Sequence, residues 1–327
     1  MRSPYYQGPL SDHFDGKKFY GPVKSGVKPL GQLLKWRFLG KRAAWPATVP
    51  NPPPDTVMAT AEPNTLRLTF IGHATCLIQI EGLNLLIDPV WANRAGPLRH
   101  IGPRRVRKPG LELNELPPID LVLVSHNHYD HLDTTALVVL VAAHDPLIVT
   151  PLGNDTIIRR AAYKARIVTL DWDATTILGP LSISAVPVQH WSARGIGDRN
   201  GALWCGFTLR WGEHAAFLAG DSGFGEGWWA KRARLRDRAY DLAVLPIGAY
   251  EPRWFMEDAH MMPEEAVTAF QYLNARHALG MHFGTFQLTD EPMDEPQLRL
   301  QAELSRLGID PAVFRTLDPG QAWTINL

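Results

Sequence analysis

The chain has 327 residues, 45% of them hydrophobic, enough to bury a sizeable core as one large domain or two ordinary ones. Its 33 lysines and arginines balance 33 aspartates and glutamates, and zero net charge without a distinct basic domain offers little footprint for nucleic acid. No apolar run is long enough to cross a bilayer, and Met1-Arg-Ser-Pro-Tyr-Tyr6 lacks the apolar stretch of a secretory signal, so a soluble, cytoplasmic protein is the expectation.

Residues 1–60 read as an irregular arm. Within it Leu30, Leu33, Leu34, Trp36, Phe38 and Leu39 interleave with Lys28, Lys35, Arg37, Lys41 and Arg42, and no acid occurs between Asp15 and Asp55. Such a segment suits docking at an anionic membrane surface, or packing on its own domain with its charges in solvent. The stiff run Val49-Pro-Asn-Pro-Pro-Pro54 divides the arm from a single globular body over 61–327. Strand-like segments follow at Leu66–Ile80 and Leu83–Ile87, then the basic stretch Arg99–Lys108, which suits either phosphate attraction or an ordinary exposed loop. A strand is expected at Asp120–Ser125, with helices over Thr134–Ala143 and Asn154–Ala165. The β character returns at Leu181–Val188, Leu203–Trp211, Ala215–Ala219, Leu242–Pro246 and Leu279–His282. Pro263 followed by two acids signals a helix start, and another helix spans Glu295–Leu307. Short strands with interspersed helices indicate two sheets covered by helices, an α/β class. Cys76 and Cys205 lie in apolar runs, where buried reduced thiols are expected and no disulfide.

The chemistry concentrates after the apolar run Leu121–Val124. His126, His128, Asp130 and His131 stand within six consecutive positions, and imidazoles with a carboxylate at that spacing suit a borderline-soft divalent cation such as zinc. So many ligands in one loop fit two metals better than one, the first two histidines toward one ion and Asp130 and His131 toward its neighbour. Further ligands are then needed at other strand ends. His190, Asp221 and His282 each terminate an apolar run, where a buried imidazole or carboxylate requires a partner. Two zinc ions ~3.5–4 Å apart can hold a bridging hydroxide and aim it at phosphorus or carbonyl carbon, so no protein nucleophile is needed. Asp133 is read either as orienting a liganding imidazole or as a helix N-cap. His73, Tyr129 and His260 are candidates for facing substrate, each with a packing or capping alternative.

The order of strand, His-x-His-x-Asp-His loop, distant His, Gly-Asp and final His resembles the metallo-β-lactamase superfamily, whose αββα sandwich carries a binuclear site at the sheet ends. The stretches Ile71–Thr75, Leu116–Asp120, Gln189–Trp191, Gly220–Gly223, Pro246–Met256, Pro263–Val267 and His282–Phe286 resemble the N-acylphosphatidylethanolamine-hydrolysing phospholipase D family, from about Leu66 to the C-terminus. The resemblance implies His126, His128 and His190 at a first zinc, Asp130, His131 and His282 at a second, and Asp221 bridging them. It makes Asp130, His131 and Asp221 the catalytic centre. Ala259 stands where the vertebrate enzyme has a polar Gln, which touches headgroup recognition rather than the metal chemistry. The expected activity is zinc-dependent cleavage of such lipids to phosphatidic acid and an N-acylethanolamine. The alternatives are a soluble lactonase or other metallohydrolase on a small phosphorylated metabolite, and a membrane-associated binding protein keeping its metals for structure only. The partners implied are a phospholipid or small phosphodiester, an anionic membrane surface, a second copy in a homodimer, and no nucleic acid.

Overall fold

The computed structural model describes residues 3–23, 28, 30–98, 100–237 and 239–327. Arg99, and the side chains of Leu30, Leu34, Arg37, Phe38 and Leu39 in the arm's basic-apolar segment, lie outside the described residues. In chain order the elements are α1 (Leu30–Leu39), β1 (Thr65–Gly72), β2 (Thr75–Ile80), β3 (Leu83–Ile87), β4 (Leu121–Leu123), α2 (Thr134–His144), β5 (Leu147–Pro151), α3 (Asn154–Ala161) and β6 (Arg166–Leu170). The second half holds β7 (Thr175–Leu178), β8 (Leu181–Val186), β9 (Gly206–Trp211), β10 (His214–Leu218), α4 (Trp228–Arg236), β11 (Tyr240–Pro246), α5 (Arg253–Met256), α6 (Pro263–Leu273), β12 (Ala275–Met281), α7 (Glu295–Leu307), β13 (Phe314–Arg315) and β14 (Ala322–Asn326).

The strands form two seven-stranded sheets, ordered β14-β1-β2-β3-β4-β5-β6 and β13-β12-β11-β10-β9-β8-β7. The first is antiparallel from β14 to β3 and parallel from β3 to β6. The second repeats that succession, antiparallel from β7 to β10 and parallel from β10 to β13. Between the sheets pack Phe70, Ile78, Leu85, Leu121 and Leu123 against Ile183, Phe207, Leu209, Leu218, Val244 and Leu279. Intervening residues face outward, because side chains alternate along a strand. Val122 and Ile148 meet Leu137, Leu140 and Ile158 of the helices on one side, while Phe217 and Leu245 meet Trp229, Phe270 and Leu304 on the other. Burial on both faces explains why these strands read as unbroken apolar runs. The result is the αββα sandwich expected from the sequence.

Element bounds differ where the backbone turns. Leu66–Ile80 is two strands, because the chain reverses at His73 in a positive-φ conformation. Sequence reasoning missed β5 to β7, β13 and β14, which are short or only partly buried. The arm is not irregular throughout, since it contains α1, and its first part enters the core through Phe14 and Phe19. Trp36 donates to Asp290 Oδ2 at 2.8 Å and packs on Phe255, and Arg42 Nε donates to Thr289 O. Both cysteines are buried and free. Among the described residues, no helix is long and apolar enough to cross a membrane.

The two readings of Asp133 are resolved by its hydrogen bonds. Oδ1 accepts from the N–H groups of Thr135 and Ala136 at 2.9 and 3.2 Å, which is N-capping of α2. Oδ2 accepts from Trp91 and Ala92 N–H at 3.1 and 2.9 Å, tying the metal-type loop to the chain after β3. Replacing Asp133 by Ala removes four acceptor contacts to backbone donors, and urea denaturation is expected to show a loss of about 3 kcal/mol.

Candidate metal centre

Strands of both sheets end at one edge of the sandwich, and the ligand-type residues lie just beyond those ends. The first sheet contributes His73 between β1 and β2, and the loop His126–His131 beyond β4. The second contributes His190 after β8, Asp221 after β10 and His282 after β12, with His260 on the segment that leads into α6. Local backbone conformation makes the convergence possible. His73 and His282 take φ of 59° and 65°, Asp88 takes 40°, and each is a non-glycine residue in the left-handed region. Such outliers cluster where surrounding structure over-determines them; here His282 N–H donates to His73 O at 2.8 Å. Gly220, at φ 58°, has no Cβ, which would stand 2.8 Å from Ser125 Cβ, so only glycine lets β10 deliver Asp221 against the loop.

The seven residues named from the sequence come together. One group contains His126, His128, His190 and Asp221, and another contains Asp130 and His131 with His282 and His73; a smaller third, Asp221, His260 and His282, overlaps both. His126 Nε2 and His190 Nε2 lie 2.8 and 3.3 Å from His128 Nδ1. Asp221 Oδ2 lies 3.1 Å from both His131 Nε2 and His282 Nε2, and 3.7 Å from His190 Nε2, so one oxygen faces both groups. His282 Nε2 is also 3.3 Å from Asp130 Oδ2.

The three candidates for facing substrate are placed differently. His73 is buried, its Nε2 3.0 Å from Asp130 Oδ2, so it touches the cluster from the protein side. His260 Nδ1 is 4.0 Å from Asp221 Oδ2, and its ring lies 5.3 Å from that of His282. Tyr129 donates its hydroxyl to Arg194 O at 2.7 Å. Sequence reasoning missed Asp88, which accepts from Ser125 N–H, Ser125 Oγ and His131 Nδ1, each at 2.7 Å. Asp88, rather than Asp133, orients an imidazole of the cluster. Its signal was present: it ends the apolar run of β3 as Asp221 ends that of β10.

Electrostatics divide the cluster in two. Burial holds His126 and His190 well below the usual imidazole range, and His128 at about 4, so all three are neutral bases. Burial also opposes charge on His131 and His282, yet the carboxylates beside them prevail. Asp221, Asp88 and Asp130 raise His131 well above its ordinary value, and Asp221 with Asp130 raises His282 to about 9. Asp130 and Asp221 are correspondingly held well below the carboxylate range, despite burial, first by His131. Two protons thus sit where the carboxylates call for positive charge. The buried atoms His128 Nε2, His131 Nε2, His282 Nε2 and Asp221 Oδ1 have no hydrogen-bond partner, a donor set that suits divalent cations.

The chain is similar to several known proteins. The beta-lactamase superfamily domain matches residues 83–283. The N-acyl-phosphatidylethanolamine-hydrolyzing phospholipase D 1 of Caenorhabditis elegans is 36% identical over 267 residues, covering 78% of this chain and 74% of that protein. An uncharacterised protein of Mycobacterium tuberculosis is 34% identical over 275 residues, 83% of this chain and 73% of its own. Among solved structures, the isothiocyanate hydrolase from Delia radicum gut bacteria superposes with a TM-score of 0.64 at 22% identity, over 80% of this chain and 100% of its own, a likeness of fold. With two ligand-type groups converging at the sheet ends, the chain belongs to the metallo-β-lactamase superfamily, as a metallohydrolase of the N-acylphosphatidylethanolamine-hydrolysing phospholipase D family.

Proposed function

We propose that the chain is a binuclear zinc phosphodiesterase of phospholipase D type, hydrolysing N-acylphosphatidylethanolamine-like lipids to phosphatidic acid and an N-acylethanolamine. The carrying observation is that the two ligand-type groups meet at a single carboxylate oxygen, Asp221 Oδ2. Kinship with the worm enzyme supports the substrate class.

In this reading His126, His128 and His190 would hold one cation and Asp130, His131 and His282 the other, with Asp221 Oδ2 facing both groups. When bound, the cations supply Lewis acidity toward phosphoryl oxygens and bring the pKa of water toward neutrality. The chain's own residues orient the donors. Asp88 engages His131 Nδ1, and His190 Nδ1 donates to Ala259 O at 3.0 Å, which leaves both Nε2 atoms free as ligands. His73 steadies Asp130. His260, held at about 4 by burial, turns an unpaired Nδ1 toward the cluster, and in this reading it would hold a substrate oxygen. Neither cysteine competes as a nucleophile, because burial pushes both thiols up.

An anionic membrane surface is the partner this reading implies, although Trp36, Lys28 and Arg42 hold the arm against the body. That docking favours, as a second reading, a soluble metallohydrolase or lactonase acting on a small phosphorylated metabolite. A panel of N-acyl phospholipids, lysophospholipids, lactones and a generic phosphodiester, offered to purified zinc-loaded protein, tests the proposal. Release of an N-acylethanolamine at the highest kcat/KM is expected, and activity confined to lactones overturns the reading.

Elemental analysis is expected to find about two zinc equivalents per chain, and about one after His131→Ala or His282→Ala. Because cations replace the protons on His131 and His282, calorimetry in buffers of different ionisation enthalpy should record proton release on zinc binding. Apparent affinity therefore falls as pH drops below about 9, where His282 takes up its proton in the empty cluster.

Asp130→Asn and Asp221→Asn keep size and remove charge. Each is expected to lower turnover by about a hundredfold or more while shifting the urea midpoint little. Near-full activity in both variants would exclude a binuclear mechanism.

A further inference from the structure

The loop between His190 and β9 carries two arginines with opposite fates. Arg194 is built into the fold: its Nη1 donates to Asn127 O and Leu132 O at 3.1 and 2.9 Å, and its guanidinium lies 4.1 Å from the Tyr129 ring centroid. Arg199 lies over the ring of Trp191 at 3.9 Å, and Trp191 packs edge-on against His128 with centroids 4.3 Å apart. Arg199 is half-buried, its Nε is buried without a hydrogen-bond partner, and among the described residues no carboxylate pairs with it.

Three other described cations around this edge are already engaged. Arg253 binds Glu265 and His260 O, Lys28 lies 3.3 Å from Asp258, and Arg105 of the basic stretch donates to Val90 O and Ala92 O. A partly desolvated guanidinium without a counter-ion is unfavourable, and stacking on an indole offsets only part of the cost. Its free N–H groups form a planar fork suited to oxyanions. Its position is one indole away from a candidate metal ligand.

We propose that Arg199, presented on the Trp191 ring, recognises the phosphoryl oxyanion of the substrate at the rim of the metal centre and selects anionic phosphodiesters over uncharged lactones. The identity of the anion rests on the phosphodiesterase reading above; the presence of an anion-seeking group there does not. Arg199 thereby becomes a specificity-determining residue outside the stretches that carry the family resemblance.

The test uses zinc-loaded full-length protein as wild type, Arg199→Gln and Arg199→Lys. Inorganic phosphate and a dialkyl phosphate are titrated calorimetrically, and steady-state kinetics are run on a phosphodiester, with zinc content and melting temperature measured for each variant. The Gln variant is expected to weaken phosphate binding and raise KM by about tenfold, with kcat changed less than about twofold. The Lys variant, which keeps charge but loses the fork, should recover part of the loss. Phosphate affinity and KM equal to wild type in a zinc-replete Gln variant would overturn the proposal, as would a fall in kcat at unchanged KM. Should the Gln variant lose zinc or fold, the Lys variant decides: wild-type phosphate affinity and KM there count against fork recognition. Arg199-dependent phosphate binding by a protein that leaves phosphodiesters intact would overturn the phosphodiesterase reading and keep the anion site. Phosphodiester cleavage indifferent to Arg199 would do the reverse.

Discussion

Two carboxylates, Asp130 and Asp221, are buried beside one another and share the Nε2 of His282, and the rest of the site is arranged around that fact. Buried carboxylates demand positive charge at close range, because little water is present to supply it. Without cations the demand is met by protons on His131 and His282. His126, His128 and His190 stay neutral because burial outweighs the carboxylates near them. The same environment prepares three imidazole bases on one side and two displaceable protons on the other. An anionic cluster of this kind is suited to divalent cations.

Holding such a cluster together requires backbone geometry that few residues adopt readily. The positive φ values of His73, Asp88 and His282 surround the cluster, and Gly220 allows β10 to pass Ser125 at close range. The sandwich makes these conformations sustainable. Each lies beside the end of a buried strand, and cross-bonds such as His282 N–H to His73 O and Ser125 N–H to Asp88 Oδ1 leave little room for relaxation. Rigid strands thereby fix the ligand-type residues.

Those loops are themselves fastened by the arm. Ser3 Oγ donates to Gly201 O at 2.6 Å and Tyr5 bonds Asp198, so the first residues of the chain grip the loop that carries Trp191, Arg194 and Arg199. Further along, Lys28 and Trp36 fasten the arm to the segments around Trp254 and Asp290. The arm thus frames two sides of the cluster's surroundings.

Much of the site is legible in the order of residues alone. His126, His128, Asp130 and His131 announce themselves because consecutive residues supply the ligands, and His190, Asp221 and His282 because each interrupts an apolar run. The helices beginning at Thr134, Pro263 and Glu295 are legible from local caps and prolines. The short β7 and β13 are not, since four and two residues carry too little periodicity to register. Asp88 and Asp133 read alike as acids near an apolar run, yet one meets His131 and the other caps α2. Arg199 is one basic residue among many in the sequence, and only its ring partner and its lack of a counter-ion set it apart. The sequence by itself determined which chemistry the residues could perform, because ligand type and local spacing are written in neighbouring positions. Tertiary structure alone decided which of them meet, because strand order across two sheets brings together side chains as distant as His73 and His282, and no local pattern encodes that distance.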